Sequence, residues 1–278
     1  MSALEPLVIA AAPNGARKTP RDHPALPVTA DQLADTAAGC QQAGAAMVHL
    51  HVRDAEGRHS LDPRHYARAI DAVRARVGDR VVIQATSESG GIYGPREQLD
   101  AMRALEPEAL SLAVREAIGQ AGDEPAAAEF LAWARTRGVA VQYILYDQHD
   151  LTRYRDLVRR GVIPGERHWL LFVLGSYAQG RDATPGELLG FVGADGPPET
   201  PWMVCAFGPR EAACALTAAG LGGQVRIGFE NNLQLPDGSN APDNAALVAN
   251  VAAGARTFGR PPADADHLRA QLAGLTAR

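Results

Sequence analysis

The chain has 278 residues, 46% of them apolar, and its 27 Lys and Arg against 32 Asp and Glu give a net charge of −5. A mildly acidic balance of interspersed charges argues against a nucleic-acid or anionic-membrane surface. Apolar runs such as Trp169 to Leu174 are far too short to span a bilayer. The three cysteines, Cys40, Cys205 and Cys214, form no CxxC pair and no zinc-finger spacing, so they read as small core residues of a reducing compartment. Met1 to Pro6 carry no basic stretch leading into a long apolar one, and no secretory leader is expected. These features describe a cytoplasmic globular enzyme, read as one domain over residues 1–278.

In chain order, short apolar runs alternate with helix-like segments. The runs are Leu7–Ala11, Met47–Val52, Arg80–Ala85, Ala109–Ala113, Val139–Leu145, Trp169–Leu174, Trp202–Phe207 and Gln224–Phe229. Most are apolar throughout rather than alternating, which suits strands covered on both faces in a parallel sheet. Between them, Thr29 and Gln32 form a capping-box pattern ahead of Leu33, Ala37 and Cys40, and Gly44 stops that helix. Asp62-Pro63 opens a segment carrying Tyr66, Ile70 and Val73 on one face, and Gly94-Pro95 opens one carrying Leu99, Met102 and Leu105. Pro242-Asp243 starts a late helix with Leu247, Val248, Val251, Ala252, Ala255 and Phe258 at helical spacing, closed by Gly259 and Pro261. Gly193–Pro201 reads as a surface loop before the seventh strand. Eight βα units of about 30 residues each predict a (β/α)₈ barrel. A doubly wound open sheet is the runner-up, but no GxGxxG follows the first strand.

In such a barrel, function gathers at the C-terminal ends of the strands. His49 and His51 end the second strand, and residues i and i+2 project to the same side. Two imidazoles aimed at one point are what a divalent metal needs, with at least one more protein ligand. Glu230, just past the eighth strand, supplies a carboxylate, and strands two and eight both flank strand one. A His₂Glu set plus water is an arrangement that keeps zinc catalytic. The first strand leads into Pro13 to Thr19 and the third into Thr86 to Gly91, and Ser111 lies on the fourth. Tyr146-Asp147 ends the fifth, where Asp147 reads best as an N-cap. There is no GxSxG elbow and no P-loop, and the only lysine, Lys18, lies in a loop, which argues against a Schiff-base aldolase. His23, His59, His65, His149, His168 and His267 read as surface or capping residues.

Pro13 to Arg17, Leu26 to Thr29, Val48-His-Leu-His-Val-Arg-Asp54, Gln84 to Thr86, Leu170 to Gly175 and Arg226-Ile-Gly-Phe-Glu-Asn-Asn232, in this order, resemble the β-keto acid cleavage enzymes over essentially the whole chain. The resemblance implies a zinc-containing (β/α)₈ barrel assembled as a homotetramer. It also implies condensation of a β-keto acid with acetyl-CoA, followed by retro-Claisen cleavage to acetoacetate and a new CoA ester. By the same resemblance His49, His51 and Glu230 are the Zn2+ ligands, Thr86 and Ser111 hold substrate, and Arg226 orients a catalytic acidic residue.

Two departures stand out. A characterised member has a glutamate, which takes the substrate's ammonium, where this chain has Arg17. The reversed charge should repel a 5-amino substrate and favour an anionic or neutral tail. Asn231 stands where that member has an aspartate acting as base, and an amide cannot take a proton at neutral pH. Either another carboxylate such as Asp147 or Glu88 does that work, or the reaction differs in its first step, with Asn231 left to position a ketone or a water. A zinc hydrolase of amidohydrolase type is the rival reading, although its HxH pair belongs on strand one. A metal-binding protein without catalysis is a third.

Overall fold

The computed structural model describes residues 5–176, 180–193 and 198–276. Among them, eight parallel strands close into a barrel: β1 Ile9–Ala11, β2 Met47–Leu50, β3 Val82–Thr86, β4 Ala109–Ala113, β5 Ala140–Leu145, β6 Trp169–Leu174, β7 Trp202–Ala206 and β8 Gln224–Ile227. Each pairs with the next, and β8 returns to β1 with Val225 opposite Ile9. The expected (β/α)₈ barrel is therefore the fold.

The two faces of each strand explain why the strands are apolar throughout. On β6, Leu170, Phe172 and Leu174 join the outer core beneath the helices, while Trp169, Leu171 and Val173 join a separate core inside the barrel. Both faces leave water, so alternation disappears from the sequence. The surrounding helices are α1 Ala30–Ala43, α2 Pro63–Val77, α3 Pro95–Leu105, α4 Glu124–Arg137, α5 Gln148–Arg159, the single turn α6 Leu189–Val192, α7 Glu211–Gly220 and α8 Asn244–Arg256. Thr29 and Gln32 form the expected capping box, and Gly44 ends α1 in the left-handed region at φ 115°. Asp147 caps α5, accepting from the Asp150 amide. A last helix, α9 Ala265–Thr276, sets Leu268 and Leu272 into the inner core with Trp169 and Met47, flooring the barrel.

Two details differ from expectation. The second strand stops at Leu50, and Val52–Arg53 pairs antiparallel with His59–Ser60 instead, leaving His51 at the break. Phe258 lies past the end of α8 and is exposed, because the helical stripe ends with Ala255. Of the expected Gly193–Pro201 loop, residues 194–197 lie outside the described residues.

The base of the barrel is locked by Arg260, whose side chain is fully buried. Its guanidinium donates to the carbonyls of Glu5, Pro6, Ala219 and Gly223 and to Gln224 Oε1, tying the approach to β1, the end of α7 and the start of β8 to one residue. Truncation leaves buried acceptors without a donor, which costs more than the bonds themselves contribute. Arg260→Met is expected to lower the urea-unfolding free energy by roughly 3 kcal/mol; a loss below about 0.5 kcal/mol would show those acceptors finding water.

Candidate active site

The chain's sole HxH lies where the second strand breaks. His49 points into the barrel from β2 and is 1% exposed; His51, at the break, is 0% exposed. The two Nε2 atoms are 3.1 Å apart. Glu230 Oε2 is 3.4 Å from each. Three donors so spaced match ligands lying about 2.0–2.2 Å from one shared cation.

The protonation of the group favours a cation. Gln84 Nε2 donates to Gln142 Oε1 at 3.0 Å, which turns Gln84 Oε1 toward His49 Nδ1 at 2.8 Å. His49 therefore donates from Nδ1 and presents a bare Nε2, the oriented-imidazole arrangement of metal sites. Burial, helped by Arg226, pushes the His49 pKa down to about 3 and keeps the ring neutral. Burial raises the Glu230 carboxyl, but Arg226 and the two histidines overcome it and hold the group well below the ordinary range. Arg226 Nη2 takes Glu230 Oε1 at 2.9 Å. Glu230 Oε2 and His51 Nδ1 are buried with no hydrogen-bond partner among the described residues. These residues fit a divalent metal, and His49, His51 and Glu230 form a group able to hold one.

Glu230 is set by the turn after β8. Gly228 has φ 148°, and a Cβ there would lie 2.4 Å from the Ala12 carbonyl oxygen. Three successive amides then meet acceptors from three different segments: Gly228 N to Glu211 Oε1 at 3.0 Å, Phe229 N to Asn244 Oδ1 at 2.8 Å, and Glu230 N to the Ala12 carbonyl at 3.1 Å. Lys18 Nζ holds the Glu230 carbonyl at 2.7 Å.

Beside the donor group opens a cavity of about 230 Å³. Arg17 and Lys18 line one part of its wall, Glu88 and Glu116 another, and Val173 and Phe207 give it an apolar patch. Glu88 Oε2 stands 3.6 Å from His51 Nε2. Burial raises its carboxyl, with His51 opposing and Glu230 adding to the rise.

Not every expected residue reaches this cavity. Arg17 is exposed on its rim, while Asp22 and Asp54 bond elsewhere, to Thr19 and Arg58. Thr86 and Ser111 are buried and joined Oγ to Oγ at 3.1 Å, and Thr86 Oγ1 accepts the Glu88 amide at 3.1 Å; they seat Glu88 rather than line the wall. Arg226 engages Glu230 and Cys205, not Asn231. The Asn231 amide is buried with neither end bonded among the described residues. Asp147 caps α5 and pairs with Arg115, which lines the wall while Asp147 does not.

Three histidines expected on the surface or at caps are buried. His23 packs on Phe229, His168 bonds Tyr154 at 2.6 Å, and His59 Nε2 holds the Glu88 carbonyl at 2.8 Å. Apolar neighbours distant in sequence bury the first two, and no local pattern announces that. Glu211, also unforeseen, is a carboxylate at the start of an otherwise small-residue helix.

The fold and this group define a (β/α)₈ barrel whose mouth carries a His₂Glu donor set. The family model of the β-keto acid cleavage enzyme matches residues 6–273. The chain is 30% identical to the 3-keto-5-aminohexanoate cleavage enzyme of Acetoanaerobium sticklandii, over 98% of this chain and all of that protein. It is also 30% identical to the 3-oxoadipate:acetyl-CoA acetyltransferase of Cupriavidus necator, over 96% of this chain and 95% of the other. The solved complex of ObcA with oxaloacetate superposes with a TM-score of 0.69 over 91% of this chain and 68% of that one; at 17% identity it speaks for the fold alone. The chain belongs to the β-keto acid cleavage enzyme family.

Glu211 makes one property of the turn measurable. Burial pushes its carboxyl up to about 8, against an ordinary value of 4.5. Between those values the folded chain binds a proton that the unfolded chain lacks, so this stability is fully present below 4.5 and lost as pH rises through 8. The urea midpoint of the wild type should fall relative to that of Glu211→Gln between pH 5 and 8. Parallel curves would mean that Glu211 ionises normally in the folded chain.

Proposed function

We propose that this enzyme binds Zn2+ through His49, His51 and Glu230 and exchanges the acyl part of a β-keto acid with acetyl-CoA. Support comes from one observation above the rest: two imidazole nitrogens and a carboxylate converge beside a cavity in a chain of this family. The chemistry that zinc supplies there is Lewis-acid polarisation of the keto acid's oxygens. The relatives' names support the co-substrate, since the Cupriavidus necator protein and the 3-dehydrocarnitine:acetyl-CoA trimethylamine transferase of Rhizobium meliloti both take acetyl-CoA.

The steps balance as follows. A base removes a proton from C2 of the β-keto acid, and C2 attacks the acetyl carbon of acetyl-CoA, expelling the CoA thiolate. The thiolate attacks the original C3 ketone. The C2–C3 bond then breaks, leaving the acyl-CoA and acetoacetate, whose C2 takes the proton back. Glu88 is the carboxylate assigned to move that proton, because it lines the cavity while Asp147 does not. Arg226 keeps Glu230 ionised and aimed. Thr86 and Ser111 act through the Glu88 backbone, and Asn231 hydrogen-bonds a ketone or a water.

Arg17 selects the tail. A cation on the cavity rim repels an ammonium and attracts a carboxylate, so the substrate class is a β-keto diacid or an alkyl β-keto acid. A homotetramer in the cytoplasm completes the proposal. The amidohydrolase-type hydrolase is not favoured, because the donor group draws on the β2 and β8 ends alone.

Two measurements test this reading. His49→Ala and Glu230→Gln should lose bound zinc and acetoacetate release together; activity retained without metal would refute the site. Arg17→Glu should lower kcat/KM for a β-keto diacid about tenfold or more and raise it for the 5-amino acid; equal turnover of diacid and amine by the wild type would refute tail selection.

A further inference from the structure

Arg53 belongs to the most distinctive sequence motif, two residues past His51, yet it reaches neither the donor group nor the substrate cavity wall. It is only 9% exposed. Its guanidinium instead gathers the loop after β1: Nη1 donates to the Ala16 carbonyl, and Nη2 to the carbonyls of Gly15 and, at 3.3 Å, Lys18. A planar fork meets the three carbonyls from two separate nitrogens, whereas an ammonium offers its three donors from a single point.

That loop needs an external hold. The ladder between β1 and β2 has two rungs, Ala10 with Met47 and Ala11 with Val48. Above them, where His49 and His51 stand, side chains carry the connection. Asn14 Nδ2 donates to the His51 carbonyl at 3.1 Å. On the other side the loop presses on Glu230: Gly15 has φ 62°, and a Cβ there would lie 2.6 Å from Glu230 Cγ. Lys18 then reaches the Glu230 carbonyl. A chain of contacts thus runs from the β2 ligands through Arg53 and the loop to the β8 ligand, with Arg17 on the same loop.

We propose that Arg53 is a positioning residue that clamps the Gly15–Lys18 loop onto Glu230 and so fixes Arg17 and Lys18 in the cavity wall. The clamp stands on geometry alone; only its kinetic consequence rests on the proposed reaction.

The test uses the full-length, zinc-loaded protein and Arg53→Lys, which keeps the charge and loses the fork. Brief trypsin treatment, read by mass spectrometry, should show cleavage after Arg17 and Lys18 rising tenfold or more over wild type, with the other peptides released at wild-type rates. KM for the β-keto acid should rise tenfold or more while kcat changes less than about threefold. In Arg53→Ala, millimolar guanidinium should restore protection of the loop. Cleavage rising throughout the chain, a loop as protected as in wild type, or no rescue by guanidinium overturns the clamp. A loop that opens in a protein without the proposed activity overturns the reaction and leaves the clamp standing.

Discussion

The His49 and His51 Nε2 atoms 3.1 Å apart, with an ionised carboxylate 3.4 Å from both, crowd three donor atoms into a buried site where a shared cation would satisfy all of them at once. Burial and Arg226 keep the proton off His49, while Arg226 and the histidines keep Glu230 ionised. The arrangement persists because each donor is held from behind. Gln84 and Gln142 fix one imidazole, Arg226 fixes the carboxylate, and three amides pin the turn that carries it. Donors held before the metal arrives spend little of its binding energy on ordering side chains.

The barrel makes this possible by using its two ends differently. The lower interior is apolar and floored by α9, while the ligands of the upper end project from the breaks of β2 and β8, which β1 separates by a single strand. With β1 only Ile9–Ala11 long, the wall between the ligands is lowest where they must meet. The β1 loop fills that gap and becomes part of the site. Gly15 against Glu230 and Gly228 against Ala12 are the two close approaches, and a side chain at either would push the β1 and β8 ends apart.

Much of this was legible in the sequence, for identifiable reasons. Apolar runs at regular spacing require strands covered on both faces, and eight of them with helices between close in few ways. His49 and His51 were legible because period two needs no tertiary knowledge, and Glu230 because closure brings strand eight beside strand one. What stayed hidden depends on contacts distant in sequence. The break after Leu50 follows from pairing with His59–Ser60, and that hairpin carries His59 from an expected surface position to the Glu88 carbonyl. Arg53 was visible as a motif letter, but its partners, the Gly15, Ala16 and Lys18 carbonyls, are backbone atoms that no side-chain pattern encodes. The hydroxyls of Thr86 and Ser111 looked available to a ligand until the register of β3 and β4 set them opposite each other.

The β1 loop also separates two demands that could conflict. Gly15 and Lys18 face Glu230 and are constrained by it: one has no room for a Cβ, and the other holds the carbonyl. Arg17, between them, projects to the exposed rim and touches none of the ligands. A change at this position alters the charge met by a substrate's tail without moving the donors. A change at either neighbour moves the donors. On the proposed function, the charge at the rim selects the tail by Coulombic complementarity, and the buried groups beneath it hold the reacting end.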